Sequence, residues 1–218
     1  MLREIELKEI SDGKLYTSND LVKADCGDCK GCHACCCGMG QSIVLDPLDV
    51  FRLTKGLGVT FEELLAGRLE LNVVDGIILP NLKMQGEEDG CSFLDENGRC
   101  SIHAFRPGIC RLFPLGRYYE DRDFKYFLQV HECRKENRTK VKVKKWMDTP
   151  DIKAYEAYVR EWHYFLVDMG EYVAQNPETA KNDSMYVLKQ FYMMPYSESE
   201  DFYPQFDRRL AAAKESWK

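Results

Sequence analysis

Apolar and polar positions follow two rhythms along this chain, and the rhythm changes near residue 149. Before that point, short apolar runs alternate with turn residues. "LNVVDGIILP" (71–80) reads as two strands joined at Asp75-Gly76, a dipeptide suited to a two-residue hairpin turn. "CSFLDENGRCSI" (91–102) repeats the theme around Asn97-Gly98, and "GRYYEDRDFKYFLQV" (116–130) predicts a third hairpin with its tip at Glu120 to Asp123. A strand is expected around Ile5 to Ile10, and another in "SIVLDP" (42–47), ending at its proline. Two helices interrupt the strands. "PLDVFRLTKGLG" (47–58) has Leu48, Phe51 and Leu53 as apolar positions and Gly56 as its stop. "TFEELLAGRL" (60–69) opens with a capping box, Thr60 followed three residues later by Glu63.

After residue 149 the apolar period lengthens to that of a helix. Ile152, Tyr155, Val159, Trp162, Leu166, Met169 and Val173 fall on one stripe, with Thr149-Pro150 as cap and first helical position. A second helix is predicted over Ser184 to Met194, stopped by Pro195, and a short final one in "PQFDRRLAAAKESW" (204–217). The fold expected is α+β: a turn-rich part with short hairpins and two helices, residues 1–145, then a helical C-terminal extension packed on it, residues 146–218. Aromatic runs such as "YEAYVREWHYF" form core or a groove for a protein partner.

Charge narrows the options. The net charge of −6 and pI near 5.4 argue against nucleic acid or an anionic membrane as partner. "CRKENRTKVKVKKW" (133–146) holds seven basic residues against one acidic and reads as a solvated strand or helix face, with binding of RNA, an acidic protein or an anionic ligand as the alternative. The opening "MLREIELKEI" lacks the apolar run of a secretory signal, and no window is apolar enough to span a bilayer, so a cytoplasmic protein is expected. In that compartment thiols stay reduced.

Against this background the cysteines stand out. All ten lie between Cys26 and Cys133, and six crowd into "CGDCKGCHACCC" (26–37). A disulfide framework suits small secreted chains, and single buried cysteines are ordinary core filler, but neither accounts for six thiols in twelve residues. A redox thiol pair would need a strand-then-helix context that the flanking sequence lacks. Metal binding remains. A Cys-x2-Cys turn brings two sulfurs to one metal, and the repeated spacing Cys26, Cys29, Cys32, Cys35 parallels the wrapping of iron–sulfur clusters in bacterial ferredoxins. Consecutive side chains diverge, so Cys35, Cys36 and Cys37 divide between two centres. With Cys91, Cys100, Cys110 and Cys133 added, the arithmetic gives two four-thiolate sites and two spare sulfurs. Lys30, Arg99, Arg106 and Arg111 are candidates to offset the charge, and His33, His103 and His131 are minor ligand candidates.

"CKGCHACC" (29–36), followed by "CSFLDENGRCSIHAFRPGICRLFP" (91–114), resembles the YkgJ-type CxxCxxCC cysteine-cluster family. That family is described as a zinc- or iron-chelating domain and includes the cysteine motif of flagellin lysine-N-methylases. By position, the resemblance makes Cys29, Cys32, Cys35 and Cys36 the first motif and Cys91, Cys100 and Cys110 the second. Cys133, in "HEC", is the candidate eighth ligand, while Cys26 and Cys37 lie outside the minimal motif as further candidates. Pro107 and Pro114 bracket "RPGICRLFP" and restrict its backbone, which would hold Cys110 at a fixed angle with Phe105 and Phe113 as a dry wall beside the site; an ordinary proline-marked loop is the alternative.

The function expected is therefore metal binding at two four-cysteine sites, with iron–sulfur clusters as cofactors and zinc as the alternative. Electron transfer, metal handling or maturation would be its use. A lysine-N-methylase-like or other protein-modifying enzyme is one alternative, and a zinc-stabilised interaction module is another. No glycine-rich methyl-donor site or other catalytic motif is visible. Metal binding worth about 10–16 kcal/mol rivals the whole stability of a domain, so folding of residues 26–133 is expected to depend on the metal.

Overall fold

Residues 7–27 and 32–217 are described by the computed structural model. Where a strand is expected near Ile5 to Ile10, the described part is one helical turn, α1 (Leu7–Ile10). Both the backbone N–H and the hydroxyl of Ser11 return to the Leu7 carbonyl, a local closure that competes with extension. Strand β1 (Leu21–Asp25) follows and pairs antiparallel with residues 139–142, Leu21 opposite Lys142 and Asp25 opposite Thr139.

Helix α2 (Pro47–Leu57) starts from a capping box of two aspartates, Asp46 and Asp49, with proline in its first turn. It runs through Gly56 and stops at Gly58, whose φ of 67° is left-handed. Gly56 serves packing instead: a Cβ there would lie 2.6 Å from the Phe105 ring. Helix α3 (Phe61–Leu65) realises the predicted capping box, the Thr60 hydroxyl accepting from Glu63 N–H and the Glu63 carboxylate from Thr60 N–H.

Strands β2 (Leu69–Val74) and β3 (Ile77–Leu82) form the hairpin expected at Asp75-Gly76, both turn residues having positive φ. "SIVLDP" does not become a regular strand. It makes one bridge, Val44 to Asn81, flanked by Leu45 N–H to the Pro80 carbonyl and Leu82 N–H to the Ile43 carbonyl. Pro80 has no N–H to extend that ladder. Strands β4 (Met84–Gln85) and β5 (Gly90–Cys91) make a minimal hairpin. Around Asn97-Gly98 the expected strands reduce to a single bridge, Leu94 to Cys100, because the Asp95 carboxylate takes the N–H groups of Asn97 and Arg99.

The proline-bracketed segment is a short helix, α4 (Gly108–Leu112), rather than a loop. Strands β6 (Leu115–Glu120) and β7 (Asp123–Leu128) give the third predicted hairpin. The basic run then forms β8 (Thr139–Lys142), the partner of β1, and α5 (Val143–Met147). Helix α6 (Ile152–Gln175) is capped by Asp151, whose carboxylate accepts Ala154 N–H, and not by Thr149-Pro150. Helix α7 (Ala180–Leu188) passes into a π-helical turn at Lys189–Met193, and α8 (Phe202–Ser216) closes the described chain.

The α+β fold has small hairpins first and long helices last. The aromatic tail faces inward: Tyr155, Trp162, Phe165, Phe191 and Phe206 are buried in a core shared with Leu45, Leu53 and Leu79. Each such side chain contributes about 1.5–3 kcal/mol by leaving water. Polar ties stitch the parts together: Tyr158 accepts Leu48 N–H at 3.0 Å and Tyr192 donates to the Leu45 carbonyl at 2.9 Å. His163 on α6 stacks on Tyr119, ring centroids 3.5 Å apart, a packing role. Among the described residues no helix is long and apolar enough to cross a membrane.

Candidate metal centre

Three segments bring their sulfurs toward one place. The first is a 3-10 turn, Ala34–Cys36, closed by Cys36 N–H donating to the His33 carbonyl at 2.8 Å. It presents Cys35 and Cys36, and Cys37 follows in extended backbone bridged to Gly90. The second segment runs from β5 through the Asp95 turn, carrying Cys91 and Cys100. The third is α4, which carries Cys110.

The charge each thiol would feel from the others marks which sulfurs are neighbours. Cys36 hydrogen-bonds to Cys35 and lies within reach of Cys110 and Cys100. Cys110 senses Cys91, Cys100 and Cys35, and Cys91 senses Cys100 and Cys37. Six thiols thus form one group: Cys35, Cys36, Cys37, Cys91, Cys100 and Cys110. Burial pushes the thiols of Cys91, Cys100 and Cys110 above their ordinary value. The hydrogen bond to Cys35, then burial, does the same for Cys36, and that bond pulls Cys35 down to about 7. Crowded, desolvated thiols of this kind hold their protons until a cation takes their place, so metal uptake would release protons.

The surroundings favour ionised sulfur once a cation is present. Backbone N–H groups of Phe93 and Ile102 donate to the sulfurs of Cys91 and Cys100. Arg106 faces Cys35 and Cys100, Arg99 faces Cys100, and Arg68 faces Cys91. These donors and cations fit a thiolate-held zinc or iron centre. Arg111, expected among the compensating charges, is instead structural: its buried guanidinium donates to the carbonyls of Ala104, Arg106 and Asp148. Lys30 lies outside the described residues.

The other candidate ligands are placed differently. Cys26 follows β1 directly, and Cys32 precedes the 3-10 turn. Cys133 lines a polar groove with Lys14, Lys23, Arg134, Arg138 and Lys140. Cys29 lies outside the described residues. His103 meets Arg106, and His131 is exposed.

The structure adds residues that the sequence does not single out. Asp49, buried at the start of α2, accepts Gly108 N–H at 2.7 Å and so fixes the start of the helix bearing Cys110. Burial raises its carboxyl to about 7. Arg68 and Glu88 also come to the thiol region from segments with no metal motif, through pairings visible only in three dimensions.

Desolvated thiols with aimed backbone donors define a thiolate-rich chelating domain. The chain belongs to the CxxCxxCC family, described as "Putative zinc- or iron-chelating domain", whose model matches residues 28–137, just over half of the chain. No curated protein and no solved structure matches it. Membership supports binding of zinc or iron by this chain, and every cysteine except Cys26 falls within the matched range.

Proposed function

We propose that this chain is a metal-binding protein with two thiolate-held centres, the first an iron–sulfur cluster ligated by four of Cys35, Cys36, Cys91, Cys100 and Cys110. The convergence of these sulfurs from three segments carries the reading. The second centre draws on Cys26, Cys29, Cys32 and Cys133, and the cations that line the groove with Cys133 would offset its charge. The surplus of thiols and the repeated Cys-x2-Cys spacing favour iron–sulfur over zinc.

A cluster bound here supplies one-electron transfer, or iron held for delivery. The chain's own part is to desolvate the sulfurs, to direct the Phe93 and Ile102 N–H groups at two of them, and to place Arg106 and Arg99 alongside. Residues 1–145 form the metal-binding part and 146–218 the helical extension that supports it from α6 onward. A reducing compartment such as the cytoplasm would keep these thiols available to a metal.

Iron, zinc and acid-labile sulfide measured on protein purified without oxygen test this. Iron and sulfide in matching amounts are expected. A colourless protein with stoichiometric zinc would replace the cluster by zinc, and a folded protein with neither metal would overturn the function.

A further inference from the structure

We infer that His33, Cys37 and Glu88 form a separate, exchangeable site for a divalent cation, zinc by its donor chemistry. Cys37 stands at the edge of the six-thiol group but outside the C-x2-C-x2-C-C run and outside the ligands proposed for the cluster, and the site goes beyond the thiol centres proposed above. An imidazole nitrogen, a sulfur and a carboxylate oxygen from these residues all lie within 4.8 Å of one another. Tetrahedral zinc, with bonds of about 2.0–2.3 Å, sets its donors roughly 3.3–3.6 Å apart. Small side-chain rotations close that difference.

The backbones beneath the three donors are already fixed. Cys37 is bridged to Gly90, Gly38 N–H donates to the Asp89 carbonyl at 2.9 Å, and Gly40 N–H donates to the Asp89 carboxylate at 3.3 Å. The turn bearing Glu88 is therefore stapled to the segment bearing Cys37. His33 is held from the other side. Its carbonyl accepts Cys36 N–H, and its ring lies over Gly98, where a Cβ would come within 2.7 Å of Nδ1.

The donor mixture selects the ion. Calcium and magnesium take oxygen ligands, whereas nitrogen, sulfur and oxygen together suit zinc. Three protein donors leave a fourth position for water, and His33 and Glu88 are exposed, so a bound ion exchanges with solvent. Asp89 adds negative charge close to Cys37. Because Gly90 precedes Cys91, the site sits at the rim of the thiol group.

The test uses full-length protein purified without oxygen, its tightly held metal quantified first. Zinc is then added, excess removed by gel filtration, and the fraction released by a mild chelator counted. Wild type is expected to release one zinc per chain; His33→Ala and Glu88→Gln are expected to release almost none while keeping the tightly held metal unchanged. Cobalt substituted at this site should show thiolate charge-transfer absorption that disappears in Cys37→Ser. Equal release from wild type and both variants, or none from wild type, overturns the site. Loss of the tight metal in both variants would also overturn it, by assigning these residues to the inner centre. Absence of tight metal in wild type would count against the thiol centres alone, since exchangeable zinc is read separately.

Discussion

Asp49 and Gly108, far apart in the chain, are joined by a hydrogen bond of 2.7 Å from the Gly108 N–H to one carboxylate oxygen. The other oxygen accepts Asp46 N–H at 3.2 Å and closes the capping box of α2. One buried side chain thereby sets the start of two helices, and Cys110 rides on the second. Asp49→Ala strands the Gly108 N–H, at a cost of about 1–3 kcal/mol. Thermal unfolding should show that loss, and chelator competition should show weaker metal retention. Asp49→Asn keeps an acceptor oxygen and should lose less in both.

Serine at two cysteines should separate the proposed centres. Cys110→Ser removes a sulfur that senses Cys91, Cys100 and Cys35, so metal bound by that group should fall sharply. Cys133→Ser alters the cation-lined groove instead and should leave that metal in place. Metal analysis of each variant, prepared anaerobically, distinguishes them. Equal losses would place Cys133 with the six-thiol group.

Acid stability should depend on His163. Burial lowers its pKa to about 4, below the ordinary 6.5, so the unfolded chain takes up this proton first. Its contribution is intact above about pH 6.5 and is lost as pH falls toward 4. Asp49 works in the opposite sense: its raised carboxyl favours the folded state at low pH, an advantage lost as pH rises through about 7. The difference between wild type and His163→Phe isolates the histidine. The variant keeps a ring against Tyr119 and should lose the acid-induced drop in denaturant midpoint between those pH values.

Metal removal should act locally. The helices α6 to α8 and the β2–β3 hairpin bury Trp162, Phe191, Phe206 and Leu79 in a core made mostly of aliphatic and aromatic side chains, which Cys91 joins and which Cys36, Cys100 and Cys110 border. Amide hydrogen exchange after chelation should rise around residues 32–40 and 90–112 and stay low along the buried face of α6. This is narrower than the sequence alone implies for residues 26–133. Global loss of protection would restore the broader expectation.

What was legible in the sequence was local. Asp75-Gly76 and the Glu120 to Asp123 tip mark hairpins because turn backbone preferences act over two or three residues. Thr60 and Glu63 likewise announce α3. Gly56 misleads, because the ring it accommodates belongs to Phe105, and only the folded chain reveals that neighbour. The pairing of β1 with β8 and the approach of Arg68 to Cys91 are long-range and carry no periodic signal. Cysteine spacing names the chemistry, but the grouping of Cys35, Cys36 and Cys37 with Cys91, Cys100 and Cys110 depends on how three segments fold together.

The antiparallel contact of Asp25 with Thr139 brackets the family segment, residues 28–137, and brings its two ends side by side. A stretch of chain whose ends nearly touch enters and leaves at a single point, yet this one is not detachable: its Leu45, Leu53 and Leu79 share a core with the C-terminal helices. Excision at the Asp25–Thr139 contact would cut few backbone ties and still lay bare that apolar face, so an excised fragment should aggregate unless the helices travel with it.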